Sequence, residues 1–242
     1  LGKSLYKKGY KISQVYSQSE TSATTLAKEL NAEPITDFSL IKTDSPFYFI
    51  CIKDDAIRAS VKKIPALKGI VVHTSGSIPL SVLKKSFENC GVLYPVQTFN
   101  KQIKNIPFNT IPLCIEGGNE FSLKSILGLA NELSENVQQI NSKQRKTIHL
   151  AAVFSCNFVN HLFNIADDLL KKEDLDLSLL HPLIEETVAK IKSNSPSKVQ
   201  TGPAVRNDIE IIGEHLNLLE NQKNYQEIYR LLSQNILNSH KK

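Results

Sequence analysis

His149, Asn157 and Asn160 stand in a stretch that carries no charged residue from Thr147 to Ala166. An imidazole that titrates near neutral pH serves as a general acid or base toward a carbonyl or alcohol, and a carboxamide can orient the same oxygen. On a regular helix His149 and Asn160 lie about 20° apart in azimuth and Asn157 about 80° to one side, so the three could meet one elongated ligand. The same groups could instead satisfy backbone ends between two packed helices. Phe154, Phe158, Leu162, Ile165 and Leu169 gather on the other side of the stretch as an apolar stripe, the expected hub of a helical core.

A second set of candidates occupies turns that follow apolar runs. Ser17-Gln18-Ser19, Ile52-Lys53-Asp54 and His73-Thr74-Ser75-Gly76-Ser77 offer hydroxyls, backbone N–H groups and a glycine where strands end. These groups suit phosphate, nicotinamide or substrate. Ser17, Gln18, Ser19, Ile52, Lys53, Asp54, His73 and Ser75 are therefore candidates for holding a dinucleotide, and Ser75, Gly76 and Ser77 for a substrate. Gly76 permits close backbone approach. A plain strand-to-helix turn accounts for Ser75 to Ser77 equally, and a solvated turn for Ser17 to Ser19. No acidic residue stands at Ser17 to Ser19 to bind an adenine-ribose 2′-hydroxyl, which favours NADP, and no arginine is there to clamp a 2′-phosphate, so NAD stays open.

The third candidate is Arg206 in Gln200-Thr-Gly-Pro-Ala-Val-Arg-Asn-Asp208. Thr201 or Gly202 is expected to cap a helix starting at Pro203, with Val205, Ile209, Ile212, Leu216 and Leu219 as its apolar stripe. Arg206 would then lie in the first turn, where the helix dipole disfavours a cation. A bound substrate anion would offset that cost, and so would pairing with Asp208.

The elements that must position these groups follow an alternating grammar. A helix end at Leu1 to Lys8 closes at Gly9. A strand is expected over Tyr10 to Tyr16, buried strands over Phe47 to Ile52 and Gly69 to His73, and shorter ones over Val92–Tyr94, Ile111–Ile115 and Val137–Ile140. Helices are expected through Leu30, from Asp54, from Pro79 toward Phe87 and over Phe121 to Leu133. This is an α/β pattern: a Rossmann-like parallel sheet domain over 1–141, with ligands beyond the carboxyl ends of its strands. After Asn141 the pattern is helical only, over about 142–171, 176–193, 203–220 and 224–238, so 142–242 is expected to be an all-α domain for substrate binding and dimerisation.

Composition bounds the rest. A chain of 242 residues that is 41% hydrophobic can build one large core or two ordinary ones. The net charge of +5 is scattered, apart from a small tail at His240-Lys241-Lys242, which argues against nucleic acid and for small anions. Cys51, Cys90, Cys114 and Cys156 share no metal-ligand spacing, and three of them sit in apolar runs, so no metal is expected and a reducing, cytoplasmic setting is. The Asn and His residues of the uncharged stretch argue against a membrane span. The chain has no Met and begins at Leu1. An N-terminal stretch with the first strand and its glycine turn is expected to precede it, and dropped methionines would shorten spacings by a residue.

Five segments, taken in order, resemble one bacterial family: Phe49-Ile-Cys-Ile-Lys-Asp-Asp-Ala-Ile57, His73-Thr-Ser-Gly-Ser77, Leu93-Tyr-Pro-Val-Gln-Thr-Phe99, His149-Leu-Ala-Ala-Val-Phe-Ser-Cys-Asn-Phe158 and Thr201-Gly-Pro-Ala-Val-Arg-Asn-Asp208. The family joins a Rossmann-like NADP-binding domain to a C-terminal helical domain of unknown function. It is similar to deazaflavin-dependent NADP oxidoreductases and more distantly to pyrroline-5-carboxylate reductase and 3-hydroxyacid dehydrogenases. The resemblance implies a helical domain of the 6-phosphogluconate dehydrogenase C-terminal-like type, NADP across the strand ends, an interdomain cleft and a homodimer through the helical domains. The Lys and Asn that the hydroxyacid dehydrogenases use in their long helix have no match here at that spacing. The expected function is hydride transfer between NADP and a small anionic carbonyl, imine or hydroxy compound, with His149, Asn157 and Asn160 as the catalytic candidates. The alternative is a non-catalytic regulatory module that binds a nucleotide or metabolite.

Overall fold

The structure, a computed structural model, describes residues 1–99 and 107–240. Lys241 and Lys242 of the basic tail lie outside the described residues. Two compact units divide the chain, Leu1–Asn157 and Phe158–Lys242.

In the first unit, α1 (Gly2–Lys7) ends just before Gly9, whose φ of 90° is the left-handed conformation that glycine adopts without a Cβ penalty. Next come β1 (Gln14–Tyr16), α2 (Glu20–Leu30) and β2 (Glu33–Ile35), and β1 and β2 form a two-stranded parallel sheet of their own. The first strand is thus shorter than the alternation from Tyr10 implied, and β2 was not expected. The remaining strands are β3 (Phe47–Ile50), β4 (Ile70–His73), β5 (Cys90–Pro95), β6 (Leu113–Gly117) and β7 (Val137–Gln139). They form one five-stranded sheet in sequence order. Between them lie α3 (Asp54–Val61), α4 (Ser81–Lys84) and α5 (Glu120–Leu133), and α6 (Ser142–Ala152) follows β7.

Every pair in the five-stranded sheet is parallel except β5 with β6, which runs antiparallel with Val92 opposite Glu116. An antiparallel neighbour needs no crossover helix, so the strand–helix grammar that predicts parallel pairing does not govern this junction. Side chains alternate across the sheet. On one face Ile50, Val71, Cys90, Val92, Tyr94 and Cys114 pack with Ile57, Val61, Val82 and Leu83 of α3 and α4. On the other, Val72, Leu93, Leu113 and Ile115 pack with Leu5 and with Ile126, Leu129 and Leu133 of α5. The same alternation puts His73 and Glu116, polar residues, on the first face. α4 covers only four residues, far less than the helix expected from Pro79 to Phe87.

The second unit is helical: α7 (Val159–Lys171), α8 (His181–Ser193), α9 (Pro196–Val199), α10 (Ile209–Leu218) and α11 (Lys223–His240). α10 does not begin at Pro203. Asn207 has a φ of 54°, which no helix accommodates, and the Asp208 carboxylate then caps the helix by accepting the Ile211 N–H at 3.4 Å.

Two further expectations change. The secondary structure switches at Asn141, but α6 stays with the sheet, because Ser142 and Arg145 are hydrogen-bonded to Glu116. The compact boundary therefore falls after Asn157. Between α6 and α7 the backbone is a π-helix over Val153–Phe158, whose i→i+5 turns are wider than those of an α-helix. The 100° wheel that aligned His149 with Asn160 does not hold across it. The stripe expected to be core is largely exposed: Phe154 is 62% and Phe158 49% accessible, while Ile165 is buried.

Candidate functional site

β4 ends at His73, and the chain turns through Thr74 to Ser77 before α4. The turn is built from its own hydroxyls. Ser75 Oγ accepts the N–H groups of Ser77 at 3.1 Å and Ile78 at 3.0 Å, and the Ser75 N–H donates to His73 Nδ1 at 3.2 Å. Ser77 Oγ donates to the Asp54 carboxylate at the start of α3. Ser75 Oγ thus shapes the turn, and the Gly76 that follows it is buried.

What faces Gly76 gives the turn chemical interest. A Cβ at this position would lie 2.9 Å from His149 Cγ and Nδ1 and 2.9 Å from Tyr94 Cζ. Only glycine lets both rings rest on the backbone here. His149 Nδ1 and Tyr94 Oη are 3.4 Å apart, with the rings edge to face at 78°. Tyr94 is buried, and burial raises its pKa above the usual phenol range, as do nearby Cys114 and Asp54, while Arg145 opposes them. The phenol therefore keeps its proton and can donate it. Tyr94 follows from no local signal, since its meeting with His149 joins β5 to α6.

A buried charge network lies behind this pair. Arg145 is fully buried, and its guanidinium pairs with the Glu116 carboxylate and donates to the Ile78 carbonyl at 2.7 Å. Ser142 Oγ sits 2.8 Å from Glu116 Oε2 and accepts the Leu80 N–H at 3.1 Å. The sequence does not single out Arg145 or Glu116. The available signal was one arginine in the basic segment Lys143–Lys146 just before an uncharged helical stretch.

His73 is fully buried, and its pKa is pulled down to about 3, by burial first, with Arg145 acting in the same direction and Asp54 against it. Since Nδ1 accepts a hydrogen bond, the proton sits on Nε2, which has no partner among the described residues. The neutral imidazole links stability to pH. The unfolded chain takes up a proton below its ordinary value of 6.5 and the folded chain not until about 3. Stability is therefore complete above pH 6.5 and falls by about 1.4 kcal/mol per pH unit as pH drops through that window. Urea unfolding at pH 7 and pH 5 should show that His73→Gln removes about 2 kcal/mol of the pH dependence. An identical pH slope in both proteins would contradict this assignment.

The second group of candidates lies at the end of β1. Ser17 Oγ accepts the Ser19 N–H at 3.2 Å, and Ser19 Oγ caps α2 through the Ser22 N–H at 3.4 Å. Both hydroxyls are therefore engaged locally. Gln18 instead lines a cavity of about 300 Å³ with Tyr16, Asp37, Phe38, Ser60 and Lys63. Tyr16 and Phe38 are stacked at 4.2 Å. The cavity thus holds an acid, Asp37, and a cation, Lys63, neither of which lies within Ser17 to Ser19.

The remaining candidates are not gathered here. Lys53 is the residue before α3, and the Ile52 side chain is exposed. Asn157 is exposed on the π-helical turn. Asn160 and Arg206 belong to the second unit, where Asn160 is exposed and Arg206 Nη2 lies 3.9 Å from the Asp208 carboxylate. With α10 starting at Ile209, Arg206 is outside the helix and the dipole argument for an anion beside it lapses.

The comparisons with known proteins agree with this architecture. The domain of unknown function DUF2520 matches residues 111–236. A crystal structure from Bacteroides fragilis, assigned provisionally as an NADP oxidoreductase, is 39% identical over 98% of this chain and 92% of its own, with a TM-score of 0.88. A Thermotoga maritima protein is 23% identical over 98% of this chain and 94% of its own, with a TM-score of 0.71. A reductive aminase from Aspergillus terreus, in complex with NADPH and ethyl levulinate, shares the fold at 13% identity and a TM-score of 0.74, over 98% and 87% of the two chains. Among curated protein sequences nothing matches.

Proposed function

We propose, on the premise that this chain belongs to the DUF2520 family, that it is an NADP-dependent oxidoreductase in which His149 and Tyr94 handle the proton. The observation that carries the reading is the approach of both rings to the Gly76 backbone at the carboxyl end of β4. That rim is where open α/β sheets bind ligands. The provisional assignment of the B. fragilis relative supports the same activity.

The residues present fit the cofactor. Lys63 gives the cavity by Gln18 a cation for a ribose phosphate, and the Tyr16–Phe38 stack gives it an aromatic wall. α3 borders both places: Ala56, Ala59 and Ser60 line the cavity, and Asp54 at the helix start meets Ser77. NADP, when bound, supplies or accepts the hydride at its nicotinamide. His149 and Tyr94 hold the proton that the substrate oxygen or nitrogen gains when its carbon gains the hydride, and they take it back in the reverse direction. The proposed substrate is a small anionic carbonyl, imine or hydroxy compound. Asn157 is proposed as an orienting group, and the reading does not rest on Asn160 or Arg206.

Thermal shift of the full-length protein tests the cofactor. NADPH should raise Tm more than NADH does, by about 2.7 kcal/mol of added stability at 100-fold over Kd. Lys63→Ala should weaken NADPH about 5- to 10-fold, the loss of one charge-assisted contact at an exposed site, and leave NADH unchanged. Equal weakening of both would remove Lys63 from the phosphate site. No stabilisation by any dinucleotide would end the oxidoreductase reading, and saturable binding without turnover would mark a regulatory module.

The helical unit is proposed to form a homodimer. Leu183 is 59% and Leu231 70% accessible, large apolar side chains that water does not favour. The helix Ser142–Lys171 is also long and apolar enough, by length and composition alone, to cross a membrane. Its Asn157, Asn160, His161 and Asn164 oppose that use. Sedimentation without detergent should give twice the chain mass; a monomer, or a requirement for detergent, would contradict the dimer.

A further inference from the structure

We propose that Arg145 is a positioning residue: paired with Glu116, it clasps the Ile78 carbonyl and so fixes α6 against the Ser75–Ile78 turn, holding His149 on Gly76 and Tyr94. Its catalytic meaning rests on the oxidoreductase reading above; its geometry does not.

Arg145 and His149 are one helical turn apart and share a face of α6. The guanidinium is planar, and its two ends are used for different partners. One Nη pairs with Glu116 of β6, and the other donates to the Ile78 carbonyl at 2.7 Å and lies 3.2 Å from Ser142 Oγ. Ser142 reinforces the same junction through Glu116 and the Leu80 N–H. β6, the turn after β4 and the start of α6 are thereby tied at one point. A buried ion pair is often replaceable by apolar side chains without loss of stability, so stability alone does not explain this one. What distinguishes it is that the fork grips the main chain of the turn whose Gly76 meets His149. Lysine, a single point donor on a flexible stem, cannot hold both partners in a fixed fork.

The test uses the full-length protein with isotope-labelled histidine. The variants are Arg145→Lys, which keeps the charge and loses the fork, and the double variant Arg145→Met with Glu116→Gln, which leaves no buried charge unpaired. Tyr94→Phe is the reference for a His149 without its phenol. In both Arg145 variants the His149 ring signals should move toward those of Tyr94→Phe, while His161, His181, His215 and His240 stay in place. With substrate, kcat should fall about 10- to 100-fold while Kd for NADPH stays within about 2-fold. Unmoved His149 signals in the folded double variant would overturn the proposal, as would all six histidines moving together, the mark of general loosening. If the parent protein turns over no substrate, the oxidoreductase reading fails, and the His149 signals still decide the role of Arg145.

Discussion

His149→Ala should lower kcat by about 100- to 10,000-fold, the range for loss of a general acid or base, with NADPH affinity within about 2-fold of the parent. The reasoning is geometric. The His149 ring lies on the Gly76 backbone beside Tyr94 Oη at the end of β4, close to where the nicotinamide is proposed to react. It is absent from the cavity around Gln18 and Lys63, where the other end of the cofactor is proposed to bind. Removing the ring should therefore take away the proton path and spare most of the binding energy. Tyr94→Phe separates the two groups. If the phenol delivers the proton and His149 orients it, the two variants lose similar amounts and the double variant loses little more, because groups acting as a unit are not additive. Steady-state rates with NADPH and a panel of small carbonyls and imines check this. A His149→Ala enzyme with its kcat intact would remove His149 from the chemistry.

Glu116→Ala should destabilise the fold by about 3 to 5 kcal/mol, the cost of leaving a buried cation without its counter-charge. The Arg145 side chain is 1% exposed against 17% for Glu116, so the carboxylate is the partner whose loss leaves the more deeply buried charge behind. The Ile78 carbonyl and Ser142 Oγ remain as acceptors but carry no charge. Against a domain stability of about 5 to 15 kcal/mol this is a large fraction. The double variant Arg145→Met with Glu116→Gln should lose less than half as much, since it also removes the cost of desolvating both ions. Urea unfolding with an unchanged m-value measures both. A loss below about 1 kcal/mol for Glu116→Ala would show that water reaches the guanidinium.

Much of the frame was legible because it is encoded locally. The apolar runs Phe47–Ile52 and Gly69–His73 hold β3 and β4, though β3 stops at Ile50, Gly9 marks its helix end, and Ser75-Gly76-Ser77 lies at the strand end expected of it. His149 stood out as a candidate by residue type and by the absence of charge around it. Its partner Tyr94 lies 55 positions away and the Arg145–Glu116 pair spans 29. Such meetings depend on sheet order and on the antiparallel placing of β6, which no local pattern reports. The helical half was less legible for three physical reasons. The π-helical turn at Val153–Phe158 breaks the periodicity that assigns faces, and the left-handed Asn207 moves the start of α10 past Arg206. The exposed Leu183 and Leu231 show a third difficulty: apolar periodicity marks a face that wants cover, whether the cover comes from the same chain or from another.

The most direct test of the central claim is a crystal structure of the full-length protein with NADPH. The account predicts the nicotinamide ring beside Gly76, within contact of His149 and Tyr94, and the adenosine phosphate in the cavity lined by Gln18 and Lys63. A dinucleotide bound away from the Gly76 turn, or one whose nicotinamide points away from His149 and Tyr94, would contradict it.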